Sequence, residues 1–198
     1  MKIFSSIANI SESEANGMLI WPDSCWLLSD RPLFVPDFEE SFYVIPALAG
    51  KIGRIGKTIA VRFGHRYISE VTAALIMMPG SVLAKLKSGE IPSASDLCFD
   101  NALAIGDWQK IEILPDSSLT LDFRTVFQSA ATGSEECIVN PDLLYPLIAE
   151  MSRKNTLKMG DIVIYPLPLS AHRVSEGDSI TIQISNFADR PLLSTRFK

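Results

Sequence analysis

Thr156-Leu157-Lys158-Met159-Gly160-Asp161-Ile162-Val163-Ile164 is the stretch on which the reading of this chain turns. Gly160-Asp161 is a turn signal, and the apolar run behind it, residues 162–165, has the length and β-branched content of a buried strand. The same order returns near the C-terminus. There Glu176-Gly177-Asp178 leads into residues 179–185, in which Ile180, Ile182 and Ile184 alternate with Thr181 and Gln183. Alternation with a period of two marks a strand with one face buried. It recurs upstream, where Leu119, Leu121, Phe123, Thr125 and Phe127 alternate with Thr120, Asp122, Arg124 and Val126. Residues 18–21, 26–28 and 33–35 read as further short strands, separated by the turn formers Pro22, Asp23 and Pro32.

Only two segments read as helices. In residues 56–67, Ile59, Phe63 and Tyr67 recur every fourth position while Lys57, Arg62 and Arg66 point elsewhere. In residues 140–151, Asn140 is placed to cap the orphan amides and Pro141 suits the first helical position. Leu144, Leu147, Ile148 and Met151 then form the buried face. The pattern predicts a β-rich α+β chain with two or three short helices.

Bulk properties narrow the function. A chain of 198 residues can bury one sizeable core, and 47% apolar with 21% charged residues is an ordinary globular balance. The mean hydropathy of +0.20 is high for a lone soluble chain. Some apolar surface is therefore expected to be covered by a second copy. The net charge of −5 and the scattered Lys and Arg argue against nucleic acid as a partner, which would draw a basic stripe. The positive charge over residues 51–66 reads as a solvated helix face. Three cysteines, Cys25, Cys98 and Cys137, with no CxxC spacing fit free thiols in a reducing cytoplasm. The first ten residues lack the continuous apolar stretch of a signal peptide, and no run approaches a membrane span, so no membrane partner is expected.

Taken in order, these motifs resemble the fumarylacetoacetate hydrolase family. Residues 156–164 resemble its Pro-Gly-Asp turn and following strand, and residues 176–184 its second Gly-Asp and last strand. The family's Phe-Asp-Thr-Phe-x-x-Ile-Gly-Pro-Trp segment is matched by Phe99, Asp100, Ile105, Gly106 and Trp108 at the same spacing. Gln128 falls where the family has a Gln after a hairpin turn. The resemblance covers residues 42–190 of one domain spanning 1–198, with 1–41 a divergent N-terminal part. It implies a mixed β-roll, a homodimer, and Mg²⁺- or Ca²⁺-assisted hydrolysis, decarboxylation or isomerisation of small dicarbonyl acids.

That chemistry needs oxygen ligands around a hard cation, which holds the keto-enol substrate and stabilises its enolate. The family supplies a Glu-x-Glu pair on a strand, where residues two apart share a face, and an Asp further along. Aligned on Gly50-Lys51, the pair falls on Phe42 and Val44, which cannot ligate a cation. The Asp falls on Glu70, in Ser69-Glu70-Val71-Thr72, the only residual metal candidate, and the Arg that follows it is Ala74. A basic residue of the family becomes Leu97, and its Thr-Gly-Thr-Pro turn becomes Tyr165-Pro166-Leu167-Pro168. A shift of two residues would bring in Glu40, but Glu39 and Glu40 are adjacent and face opposite sides of a strand.

The expectation is therefore a protein without catalytic residues, metal or cofactor, whose former cleft is lined by Phe42, Val44, Glu70, Leu97, Asp100, Gln128 and Leu167. It would bind an apolar ligand or a partner protein. Two alternatives stand beside this reading: an active hydrolase, isomerase or decarboxylase using a drifted metal site at Glu70, and a structural subunit pairing with an active relative. Glu70 also stands four residues after Arg66, the spacing of a surface ion pair if the helix reaches that far. Asp100 reads as a turn former, Cys98 with His172 as a nucleophile–base pair only if the fold brings them together, and His65 as solvated.

Overall fold

The computed structural model describes residues 1–7, 17–28, 31–112, 119–129, 132–187 and 189–198. In chain order its strands begin with β1 Ile3–Ser6, β2 Met18–Trp21, β3 Trp26–Leu28, β4 Phe42–Ile52, β5 Ile68–Pro79, β6 Leu103–Ile105 and β7 Gln109–Lys110. They continue with β8 Leu121–Gln128, β9 Gly133–Val139, β10 Ile162–Pro166, β11 His172–Val174, β12 Ser179–Ile184 and β13 Leu193–Arg196. The α-helices are α1 Gly80–Lys87, α2 Ala94–Leu97 and α3 Leu144–Lys154.

The antiparallel pair β4–β5 is the axis of the molecule, in register from Phe42 opposite Pro79 to Lys51 opposite Glu70. Around it the larger sheet runs β2-β1-β10-β4-β5-β6-β3, with β11 also beside β4 and β7 beside β5. The smaller sheet runs β13-β12-β8-β9. The middle of β4 and the second half of β5 read as apolar runs because both their faces are covered. Phe42, Val44, Leu48, Val71, Ala73, Leu75 and Met77 belong to a core shared with the smaller sheet and α3. Ile45, Ala47, Ala49, Ala74, Ile76 and Met78 belong to a second core, shared with Val82, Leu83 and Leu86 of α1. Strand β8 is covered on one face only, and its residues alternate buried and outward-facing as the sequence requires.

Both Gly-Asp pairs do the same job. Gly160 and Gly177 take φ of 84° and 93°, the left-handed region in which a side chain is strained. The following Asp accepts a backbone N–H from three residues earlier. Lys158 donates to Asp161 and Ser175 to Asp178, both at 2.9 Å. Asp161, buried, also accepts the Lys2 N–H at 2.9 Å and pairs with Lys2 Nζ at 2.8 Å, which ties the start of the chain to this turn.

The β-rich α+β class is the observed one. Other expectations change. Residues 56–67 do not form one helix; only a 3₁₀ turn, Val61–Arg66, is present. Gly56, Gly64 and the β-branched Thr58, Ile59 and Val61 make a poor helix. Gly56 instead pairs with Leu157. Ile59, Phe63 and Tyr67 still meet the core, from a turn and its flanks. Residues 33–35 reduce to an isolated bridge between Leu33 and Phe197. Asn140 makes no side-chain cap; Pro141 opens a 3₁₀ turn, and α3 follows with Leu144, Leu147, Ile148 and Met151 buried. Gly50-Lys51 continues the strand rather than ending it. Helices α1 and α2 were not legible as helices. Among the described residues no helix is long and apolar enough to cross a membrane.

Gly106 shows how tightly the two sheets meet. Its N–H donates to Ala73 O at 2.9 Å, and a Cβ there would stand 2.3 Å from the Leu192 carbonyl oxygen. Gly133 has nothing within 4 Å of the same position. Gly106→Ala is expected to destabilise by about 1–3 kcal/mol, since the backbone must move. Gly133→Ala should stay within about 0.5 kcal/mol. Urea denaturation of the two variants beside the parent checks the contrast.

Candidate functional site

Phe42 and Val44 stand two apart on β4 and share a face, as the resemblance requires of its two ligands. The register then decides what surrounds them. Across β5 they face Pro79 and Met77, and across β11 they face Val174 and His172. Phe42 and Val44 are wholly buried, with Met77 and Val174 buried beside them. The Phe42 ring meets Phe38 edge-on at 5.1 Å and Phe99 at 5.8 Å. Leu167, also fully buried, donates its N–H to Pro46 O at 2.9 Å on the same strand. Carbon fills the place to which the resemblance assigns two carboxylates and an ion.

Glu70 is not in this place. It is the cross-strand partner of Lys51, at the opposite end of the hairpin. Seven residues of β5 separate it from Met77, roughly 23 Å of strand. Its Oε2 lies 2.5 Å from Lys51 Nζ, which also stands 4.5 Å over the Trp108 ring. The ion-pair reading of Glu70 thus holds with a different partner: Arg66 ends a 3₁₀ turn, and Glu70 is already on the strand. Leu97 belongs to the core on the other face of the sheet. Asp100 is exposed in the turn before Asn101, whose φ is 63°. Gln128 is exposed and accepts a hydrogen bond from Ser179 Oγ at 3.2 Å. Of the seven expected lining residues only Phe42, Val44 and Leu167 come together, and they line no open cleft because each is packed shut.

A hard divalent ion does not fit these residues. Glu39 accepts a hydrogen bond from Ser81 at 2.6 Å on the surface, and Glu40 is exposed. Among the described residues no three His, Cys, Asp or Glu side chains come close enough to hold a metal.

One polar pair does survive beside the filled site. His172, across from Val44, has its Nε2 3.2 Å from Glu135 Oε2, and its ring stacks on Phe127 at 4.9 Å and 20°. Burial alone would raise the Glu135 pKa, but the N–H and hydroxyl of Ser170, with His172, outweigh it and hold the carboxyl below its usual range. Sequence reasoning singled out His172 but not Glu135, which arrives from another sheet 37 residues away.

Cys98 is not the partner of His172. It neighbours Cys25 in the second core, and burial raises both thiols, Cys25 to about 12 with Cys98 adding to the effect. Cys137 is raised to about 11, chiefly by burial and then by Asp122 and Glu135. Neither set of values is that of a nucleophile, which works as the thiolate. His65 is half-buried, with its ring 6.5 Å from that of Tyr145. A cleft of about 460 Å³ opens elsewhere, between α3 and the sheet edge, lined by Ser6, Met18, Asp142, Leu147, Glu150 and Tyr165. It holds none of the seven expected residues.

No protein-family profile matches the chain. The crystal structure of an Escherichia coli protein superposes on it with a TM-score of 0.79 at 23% identity, covering 100% of this chain and 91% of the other. A Yersinia pestis CO92 protein assigned to the fumarylacetoacetate hydrolase family gives 0.76 at 21% identity, covering 100% and 92%. The chain has the fumarylacetoacetate hydrolase fold. Among curated proteins, the oxaloacetate tautomerase YcgM of Escherichia coli K12 is 25% identical over 170 residues, 83% of this chain and 75% of that protein. The resemblance read from the motifs and the fold therefore agree.

The Glu135–His172 contact makes a stability test. A carboxyl whose folded-state pKa is depressed contributes fully above its unfolded pKa and loses the contribution as pH falls through the folded value. Glu135→Gln is expected to cost about 0.5–1 kcal/mol near neutral pH, discounted for its partial exposure. The difference should vanish below the ordinary carboxylate range, as read by urea denaturation at neutral and strongly acid pH.

Proposed function

We propose that this chain has given up the divalent-metal-dependent chemistry of its fold and serves a binding or structural role. One observation carries the reading: Phe42 and Val44 are completely buried, with Met77 and Pro79 across the hairpin and Phe38 and Phe99 closing over Phe42. An ion at this place would have no oxygen ligand, and its hydration shell would have to be stripped without replacement. The drifted-site alternative loses its geometry, since Glu70 lies at the far end of β5 and is held by Lys51. The Glu135–His172 pair could move a proton, yet its neighbours are the buried Val44 across the strand and the Phe127 ring stacked on the imidazole.

A protein partner accounts for what the mouth of the site now presents. Phe38 packs on Phe42 and Phe99, yet 59% of it is exposed, and Phe34 close by in sequence is 62% exposed. Exposed aromatic rings over a sealed cavity suit contact with another surface better than capture of a small molecule. That surface is a second copy of the chain or a relative that still carries the metal.

Thermal melting with Mg²⁺, Mn²⁺ and Ca²⁺ tests the reading. An ion present at a hundred times its dissociation constant would raise Tm by roughly 5–10 °C; flat curves are expected. Enol–keto conversion of oxaloacetate, the reaction in the name of the Escherichia coli relative, should run at its buffer rate. A metal-dependent rise in Tm together with acceleration of that conversion would overturn the proposal. Restoring carboxylates with the double variant Phe42→Glu, Val44→Glu should cost about 3 kcal/mol or more, because two acids would enter a closed core.

A further inference from the structure

Residues 53–69 contain no Asp or Glu, and neither do residues 151–160. The first stretch carries Arg54, Lys57, Arg62 and Arg66, the second Arg153, Lys154 and Lys158. The fold sets the two side by side. Gly56 and Leu157 exchange backbone hydrogen bonds of 3.1 and 2.9 Å. Thr58 N–H donates to Ser152 O at 2.9 Å, and Ile59 N–H to Ser152 Oγ at 2.8 Å. All seven cations are exposed, and none makes an ion pair among the described residues. Arg62 and Arg66 rest on the Phe63 ring, each at 4.8 Å, which holds them outward as a pair. The flanking acids are engaged, Glu70 by Lys51 and Asp161 by Lys2. Seven of 18 Lys and Arg therefore fall in two stretches that contain no acid and lie side by side. The net charge of −5 conceals this local concentration of positive charge.

The same end carries exposed apolar side chains. Ile55 is 67% exposed, Met159 74% and Val61 47%. Gly160 N–H donates to Ile52 O and Ile52 N–H to Asp161 O, both at 2.8 Å, so the turns 53–55 and 158–160 stand next to each other below the Gly56–Leu157 pairing. Ile55 and Met159 are thus neighbouring turn tips within a ring of Arg54, Lys57 and Lys158.

This combination selects a partner. Cations alone would suit any polyanion. Protruding Ile and Met gain nothing from a phosphodiester backbone, but they gain by leaving water for the acyl boundary of a bilayer. Each Lys or Arg brought to an anionic leaflet adds roughly a fivefold factor in partition. We infer that this end of the molecule is a docking surface for an anionic lipid bilayer, with Ile55 and Met159 entering the headgroup boundary and the seven cations facing the lipid charge. The remainder of the chain, with eleven Lys and Arg against 23 Asp and Glu, carries the net negative charge. This inference is independent of whether metal chemistry survives.

Sedimentation of the full chain with vesicles tests it. The chain should pellet with phosphatidylcholine vesicles containing about one-third phosphatidylglycerol and not with phosphatidylcholine alone. It should return to the supernatant at salt that shortens the Debye length to about 3 Å. Ile55→Asp with Met159→Asp should lower partition by about tenfold, and Arg54→Glu with Lys57→Glu by at least as much. Because all four sites are exposed, both variants should keep the parent's Tm within a few degrees. Failure to pellet with the anionic vesicles overturns the inference, as does equal binding to both lipid mixtures or undiminished binding when the two tips are made acidic. Binding of duplex DNA that depends on Arg54 and Lys57, in the absence of vesicle binding, would assign the surface to nucleic acid and overturn it as well.

Discussion

The two-sided burial of the β4–β5 hairpin governs this molecule. One face of the hairpin packs on the smaller sheet and α3, the other on α1 and the turns around α2. Along most of these strands each side chain enters one core or the other, and such a position must be apolar or neutralised by something equally buried. An isolated pair of carboxylates between Met77 and Val174 would be among the costliest groups a core can hold. Phe42 and Val44 meet that constraint with carbon, and Phe38 and Phe99 pack edge-on against the ring at position 42. On the proposed reading, loss of ligands and filling of the cavity are one event, seen first as chemistry and then as packing.

What could be read from the residues alone was local. The two Gly-Asp turns were legible because one residue supplies a backbone conformation and the next a hydrogen-bond acceptor, and both effects act within four positions. The alternation of β8 and β12 was legible because their outer faces meet solvent. Phe42 and Val44 were legible as residues that cannot ligate a cation, because a phenyl ring and an isopropyl group exclude themselves. Glu70 was not legible. Its neighbours in sequence suggested a helix and Arg66, whereas its place is fixed by pairing with Lys51, and nothing in either residue announces a register. The same limit hid the Cys25 neighbour of Cys98 and the Glu135 partner of His172, each brought in by the sheets from a distant segment. Helix α1 was hidden for a different reason. It starts immediately after β5, at Pro79-Gly80, a pair that reads as a turn rather than as the opening of a helix.

Composition misled in one respect. Scattered Lys and Arg in an acidic chain showed no basic stripe, and residues 51–66 looked like one solvated face of a helix. The 3₁₀ turn Val61–Arg66 and the extended residues before it spread those cations instead, while α3 ends against them with Arg153 and Lys154 in its last turn. Cations there also complement the negative end of the helix dipole. Polarity of this kind is a property of the folded surface, since it depends on which segments end up adjacent.

The parallel pairing of β1 with β10, anchored by Lys2 and the buried Asp161, joins the opening residues to a strand that begins at position 162. During synthesis β1 must therefore wait for residue 162 before its second neighbour exists. Until then β1 and its hairpin mate β2 have only each other, and two strands alone are barely stable in water. Such long-range closure slows folding. The β1–β2 pair is thus left open to wrong partners until β10 has emerged.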